Sequence, residues 1–385
     1  MIKTYQKLPR ALRAATPRAD GTEEGINLSS LIDAARCGYR YHLRHRRGIE
    51  RRTIAPAMDL GSAVHEGIRG GIFRWAAFKT PRITNKRMTL IWMNVNQYVL
   101  DWAEHWKAGR GTLTVETNQE LGDTIEKAIR IAQRALVEMD LSRWKILRLR
   151  DGSPMVEQKI TWAIPGTDVP FYGTPDFGAT DLTDGSNWVW DYKVRERFVS
   201  SEDERFDTQL PTYQFGLSKQ VPSIRTAGAI KFQIRSALPE IPKLNKNGTM
   251  SRQRIATDWP TYDRALVAAG LDAEDYREEM HQKLDFQFFS LERHYRNDFE
   301  LRQIWHEITV PMALAHLRRK NWHRVMHTWG CNGCWARAFC LGELRGEDTE
   351  FLLATEYVDT TKPADHIGLR PEHFNFRDGK EDVEG

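Results

Sequence analysis

The stretch FYGTPDFGATDLTDGSNWVWDYK, Phe171 to Lys193, holds two carboxylates and a lysine in fixed order: Asp176, Asp191, Lys193. FYGTPDFGAT is apolar and interrupted by Gly173 and Pro175, Thr183 to Ser186 is a run of turn formers, and NWVWDYK is aromatic and β-branched. That succession predicts a hairpin. Strand side chains alternate faces, so Asp191 and Lys193 share one and Tyr192 takes the other. A turn of this size brings Asp176, on the first arm, near Asp191 on the second.

Two neighbouring carboxylates repel unless a cation lies between them, and hard oxygen ligands suit Mg²⁺ or Mn²⁺. A lysine two residues on could hold an attacking water or steady a pentavalent phosphate. The bland alternative is a surface hairpin with solvated acids, and D-x-K alone is too common to decide. Pro175-Asp176 followed after a turn by Asp191-x-Lys193 is rarer and points to a metal-dependent nuclease.

The chain has 385 residues, 41% hydrophobic, enough for a large core. Lys plus Arg (56) and Asp plus Glu (52) nearly balance, so net charge does not indicate a nucleic-acid partner. Distribution says more. Arg36 to Arg52 holds seven arginines against one acid, Glu50, and His316 to Arg324 reads HLRRKNWHR. Each is a candidate phosphate-facing strip or a solvated helix face. MIKTYQKLPR has charge but no apolar core behind it, and no apolar run would span a bilayer, so a cytoplasmic, reducing location is expected, in a prokaryotic or virus-infected cell. Four cysteines there are not expected to form disulfides.

Residues 1–26 read as a loose leader, 27–345 as one domain and 346–385 as a tail. Ser29 or Ser30 caps a helix continuing through LIDAARCGYRYHLRHR, with Leu31, Ala35, Tyr39 and Leu43 on one stripe. Residues 59–78 read as a glycine-loosened helix bearing His65. Amphipathic helices at about 85–108 and 117–140 form a helical insert, spanning about 85–150. Strands are expected at 156–164, in both hairpin arms, at 226–237 and at 285–293, with a helix over 205–219. The catalytic core thus covers about 155–237. Residues 239–255 are a polar loop, helices follow near 258–269 and 272–284, and 296–323 is one long helix or two. This order predicts an α/β fold with a mixed central sheet flanked by helices.

Cys331-Asn-Gly-Cys334-x5-Cys340, with Cys37 far upstream, offers four thiolates. They suit a [4Fe–4S] cluster, a tetrahedral zinc, or nothing at all; zinc modules usually pair two C-x-x-C knuckles close in sequence, absent here. Gln209 and Tyr213 stand at i, i+4 on one helix face, where they could position a phosphate or Lys193, or be an exposed amide and a half-buried ring. His65 is a structural histidine or a neutral metal ligand opposite the aspartates. Glu157 is a strand-face glutamate, a third carboxylate near the metal, or a partner for Lys193.

Taken in order, Cys37, His65, Glu157, Pro175-Asp176, Asp191-x-Lys193, Gln209-x-x-x-Tyr213 and Cys331-x-x-Cys334-x5-Cys340 resemble the RecB-like branch of the PD-(D/E)xK nucleases. More narrowly, they resemble its iron–sulfur members, the CRISPR-associated exonucleases and AddB-type nuclease domains, and the 239–284 segment, outside those motifs, resembles virus-encoded members of the superfamily. Where those usually have Cys-Pro, this chain has Cys37-Gly38. The resemblance implies a restriction-endonuclease-like core with termini stapled by a structural [4Fe–4S] cluster on the four cysteines. It implies a DNA exonuclease acting in recombination, replication or end processing. His65, Asp176, Asp191 and the Tyr192 carbonyl would hold Mg²⁺ or Mn²⁺, Lys193 would activate water, Glu157 would be a supporting acid, and Gln209 and Tyr213 would position the strand or the lysine. DNA ends are the expected partner, with a helicase, recombination protein or integrase as further ones. The alternative is a module that grips DNA ends or docks a partner with little cutting. No G-x-x-x-x-G-K-[ST] loop is present, so any motor would be another protein.

Overall fold

The computed structural model describes residues 25–359, apart from 54, 79–81, 109, 111, 112 and 320. Of the expected leader only residues 25 and 26 are described; of the expected tail, residues 346–359 are described and include the helix Thr349–Thr355, and the rest lies outside the described residues. Nine strands occur among them: β1 (Ile49–Arg51), β2 (Trp144–Ile146), β3 (Ile160–Ala163), β4 (Pro170–Gly173), β5 (Phe177–Asp181), β6 (Asn187–Arg195), β7 (Thr226–Arg235), β8 (Phe289–His294) and β9 (Tyr357–Asp359). The central sheet has the order β2-β5-β6-β7-β8. Only β6 and β7 run parallel; the other three pairings are antiparallel. A parallel pair needs a crossover, and the Gln209–Gln220 helix lies within it. The mixed α/β sheet flanked by helices is the fold expected from the sequence.

Alternation along β6 builds the layers. Trp188, Trp190 and Tyr192 join Ile230, Phe232 and Ile234 against the helices Pro56–Ala76, Asn85–Ala108 and Val115–Glu138. Val189 and Ala229 face the other way, onto Leu210, Phe215, Trp305 and Val310. These two cores sandwich the sheet. The Pro56–Ala76 helix is continuous over 21 residues, not loosened by its glycines. They are there for close approach: a Cβ on Gly70 would lie 2.6 Å from the Tyr98 ring, and one on Gly71 2.3 Å from Leu136 Cδ1.

Several expected elements are broken up. The first hairpin arm divides into β4, paired with β3, and β5, paired with β6. Pro175 has no N–H for a ladder, so the chain bends there and changes partner. The strand expected over 156–164 is confined to β3, with Val156 making one isolated bridge to Phe177. The helix expected over 205–219 begins only at Gln209 and runs to Gln220, with a separate short helix, Ser201–Glu204, before it. The opening helix is capped by Asn27, whose side chain accepts the Ser30 N–H at 2.8 Å, rather than by Ser29 or Ser30. It ends at Arg36, because Cys37 is extended, and Ala35 of the expected stripe is exposed. The 296–323 helix shortens to Asp298–Gln303, a π turn over Ile304–Thr309, and Val310–Arg318. Pro311 cannot donate to the ladder, and the wider turn precedes it.

The first and last described segments meet. β1 pairs with β9, Tyr39 N–H donates to the His323 carbonyl at 3.0 Å, and Tyr39, Leu43, Ile49, Phe339 and Tyr357 share a small core. Residues 236–288, between β7 and β8, carry a separate small core of Met250, Tyr262, Leu266, Tyr276 and Met280. Among the described residues no helix is long and apolar enough to cross a membrane.

Candidate active site

The site forms where β5 stops. The last residue of β6 opposite β5 is Trp190, which pairs with Phe177, so the next unpaired N–H on that edge, from Tyr192, needs an acceptor. Asp176 Oδ2 supplies it at 2.6 Å. Pro175 thus turns the chain, and Asp176 caps the ladder with a carboxylate only 6% exposed. Asp176 lies in the bend before β5, not on the strand itself.

His65, on the Pro56–Ala76 helix, reaches the same place. Its Nε2 is 2.9 Å from the Tyr192 carbonyl oxygen, and its Nδ1 is 3.7 Å from Asp176 Oδ1. Glu157 is not on a strand. Its backbone holds a φ of 49°, a left-handed conformation that costs a non-glycine residue on the order of 1 kcal/mol, and its N–H donates to the Asp176 carbonyl at 2.9 Å. One ligand atom each from His65, Glu157 and Asp176 all lie within 4.8 Å of one another, the only such group of three or more His, Cys, Asp or Glu among the described residues.

Asp191 has other company. Lys193 Nζ is 2.8 Å from its Oδ1 and Lys231 Nζ 2.7 Å from its Oδ2. Lys231 is Asp191's register partner on the parallel strand β7, 1% exposed, and also lies 2.7 Å from Asp207 and 3.6 Å from Glu204. Of the expected metal ligands, His65 and Asp176 stand together with Glu157, while Asp191 is paired with Lys193 and Lys231.

Electrostatics separates the carboxylates accordingly. Burial alone would raise Asp191, but Lys193 and Lys231 outweigh it and hold the carboxyl down at about 2. Burial, then Asp191 and Glu157, push Asp176 well above the usual carboxylate range. Burial pushes Glu157 up to about 8. Burial and the nearby Lys193 lower His65 to about 4, so its imidazole is neutral at pH 7 and has a lone pair to give. Two acids that resist ionising side by side, with a neutral imidazole beside them, form a donor set that a divalent cation stabilises by cancelling the repulsion.

Gln209 and Tyr213 share a helix face as expected, but they pair with each other: Gln209 Nε2 donates to the Tyr213 hydroxyl at 2.9 Å. The Tyr213 ring is buried against Gly173, where a Cβ would approach it to 2.5 Å. The basic run Arg36–Arg52 is largely spent on intramolecular contacts rather than free as a strip. Arg40 pairs with Asp33 at 2.9 Å, Arg47 with Glu343 at 3.5 Å, Arg51 donates to the Trp335 carbonyl at 3.1 Å and Arg46 lies over Trp322. In the second run, Arg319 donates to the Ala34 carbonyl and Arg324 pairs with Glu343.

Cys37, Cys331, Cys334 and Cys340 line one pocket of about 790 Å³ with Arg36, Arg40, Arg324 and Arg337. Their sulfurs do not cluster as a ligand shell: among the described residues no cysteine enters a group of three within 4.8 Å. A zinc with bonds of ~2.3 Å would need its sulfurs about 3.8 Å apart, so no zinc site is preformed.

Sequence reasoning missed Lys231, Glu204 and Asp207. The available signal was a lone lysine inside the apolar run TAGAIKFQI, since a charge in a buried strand must be paired. The geometry now described has a counterpart among known families: the model described as the PD-(D/E)XK nuclease superfamily matches residues 26–341. No curated protein matches the chain.

Proposed function

This chain belongs to the PD-(D/E)XK nuclease superfamily, and from that premise we propose that it is a divalent-metal-dependent DNA exonuclease. The observation that supports this best is the convergence of His65, Glu157 and Asp176 within 4.8 Å, beside the strand that carries Asp191 and Lys193. The Tyr192 carbonyl, 2.9 Å from His65 Nε2, is a fourth donor.

A bound Mg²⁺ or Mn²⁺ would polarise the scissile phosphate and make water a better nucleophile. The chain's residues do the rest. Lys193, kept protonated because Asp191 and Asp176 outweigh its burial, presents an ammonium to the attacking water or a phosphate oxygen. Asp191 sets where that ammonium stands. Lys231 holds the far oxygen of Asp191, so Lys193 can move to substrate without leaving that buried carboxylate unpaired. Tyr213, held by Gln209, packs its ring against Gly173 at the end of β4, the strand that leads into Asp176.

The four cysteines are proposed, on donor chemistry, to hold a [4Fe–4S] cluster with a structural role, joining segments that β1 and β9 already bring together. Colourless protein with stoichiometric zinc after anaerobic purification would remove the cluster.

Digestion of end-labelled linear and circular DNA, single- and double-stranded, tests the activity. Linear substrate shortened from its ends in Mg²⁺ or Mn²⁺, with Asp191→Ala reduced on the order of 10²–10³-fold, is expected. Binding without cutting would instead make this a DNA-gripping module, and cutting of circles would make it an endonuclease.

A further inference from the structure

We propose that the hairpin Lys243–Ser251 is a nucleic-acid grip that holds the backbone of the strand entering or leaving the site. This rests on the nuclease reading and extends it to a second contact region. The hairpin belongs to the insertion between β7 and β8. Gln233, the register partner of Lys193, lies three residues before the insertion starts, which is about 10 Å along a strand. Ser236 N–H still donates to the Arg195 carbonyl of β6 at 2.9 Å. The insertion therefore leaves the sheet at the end that β5 does not cover, the end where the site lies.

The hairpin is anchored at its base and exposed along its length. Leu244 bridges Met250, Ser251 N–H donates to the Lys243 carbonyl at 2.8 Å, and Gly248 takes the φ of 81° that the turn requires. Pro242 and Met250 are buried, while all seven residues between them are exposed. Met250 N–H donates to the Tyr276 hydroxyl at 3.1 Å, and the Tyr262 hydroxyl to the Ser251 carbonyl at 3.0 Å, so the base is bolted to two helices.

Charge decides the occupant. From Ile241 to Thr257 there is no acid and there are four cations. Arg252 and Arg254 are neutralised at the base by Glu279 and Asp285. Lys243, exposed at the start of the hairpin, and Lys246, near its tip, make no ion pair among the described residues. Ile241 and Leu244, 69% and 55% exposed, flank Lys243. Two unpaired ammonium groups with aliphatic surface beside them match a phosphate backbone with sugar and base faces alongside. A preset hairpin loses little conformational freedom on making that contact.

The test is fluorescence anisotropy of labelled single-stranded and duplex oligonucleotides bound by the full chain in Ca²⁺, across a salt series. Lys243→Ala/Lys246→Ala is expected to flatten the log–log salt slope by about 1.8 for duplex, or about 1.4 for single strand. Over a fourfold rise in salt, wild type then loses about twelvefold more duplex affinity than the variant. Ile241→Ser/Leu244→Ser is expected to weaken binding with the slope unchanged. Lys86→Ala/Lys145→Ala, two exposed lysines elsewhere, keeps the wild-type slope. An unchanged slope in the hairpin variant, or an equal fall in the control, overturns the grip while leaving the nuclease reading intact. Wild type that binds neither oligonucleotide overturns the nuclease reading and the grip with it.

Discussion

Glu157→Gln tests the acid cluster through stability rather than turnover. Burial raises the Glu157 carboxyl from 4.5 to about 8. The sign follows from linkage. Below about pH 4.5 the proton is bound in both folded and unfolded chains, and the group costs nothing. Between there and about pH 8 the unfolded carboxyl ionises while the folded one keeps its proton, so stability is lost as pH rises; above about 8 the whole cost is present. At 1.36 kcal/mol per pH unit, the gap between 4.5 and about 8 is about 5 kcal/mol. The side chain keeps some contact with solvent, which roughly halves that figure to about 2–3 kcal/mol. In EDTA at pH 8.5, Glu157→Gln is therefore expected to be more stable than wild type by about 2–3 kcal/mol in urea unfolding, and equal to it at pH 4. A hundredfold excess of Mn²⁺ over Kd should narrow or close that gap, because wild type gains about 2.7 kcal/mol and the variant, short of a ligand, gains less. A variant destabilised at both pH values, or one that Mn²⁺ stabilises as much as wild type, would refute the reasoning.

Two further outcomes follow from the same geometry. Lys231→Met leaves Asp191, Asp207 and Glu204 without their shared cation and should cost about 3–5 kcal/mol in urea unfolding at pH 7, because a buried charge stripped of its partner is expensive; a change under 1 kcal/mol would show that Lys193 and Arg195 suffice. Gly216→Ala places a Cβ 2.4 Å from the Trp162 ring and should cost about 1–3 kcal/mol, visible as a lower Tm with the metal response retained.

The layers of the fold were legible because they follow from alternation. Trp188, Trp190 and Tyr192 against Val189, Asp191 and Lys193 define two faces in any register that keeps β6 a strand. The long helices at 85–108 and 115–138 carried their own period. What was not legible depended on partners. Pro175 was visible as an interruption, but its change of pairing from β3 to β6 depends on where those strands lie. Glu157 reads as a strand residue because nothing local, neither glycine nor asparagine, announces its positive φ; the conformation is imposed by bonding to Asp176. The two lysines around Asp191 were hidden for a similar reason. Sequence spacing places Asp191 near Asp176 but says nothing of Lys231, which arrives from the next strand and occupies one of its oxygens. The arginines of 36–52 looked like a strip because their partners, Glu343, Trp335 and Trp322, lie nearly three hundred residues away.

The most direct measurement is an anomalous difference map from crystals of the full chain soaked in Mn²⁺. One peak within bonding distance of His65, Glu157, Asp176 and the Tyr192 carbonyl is expected, lost in Asp176→Asn. Mn²⁺ bound elsewhere in crystals of catalytically active protein, with those four groups unmetallated, would contradict the site.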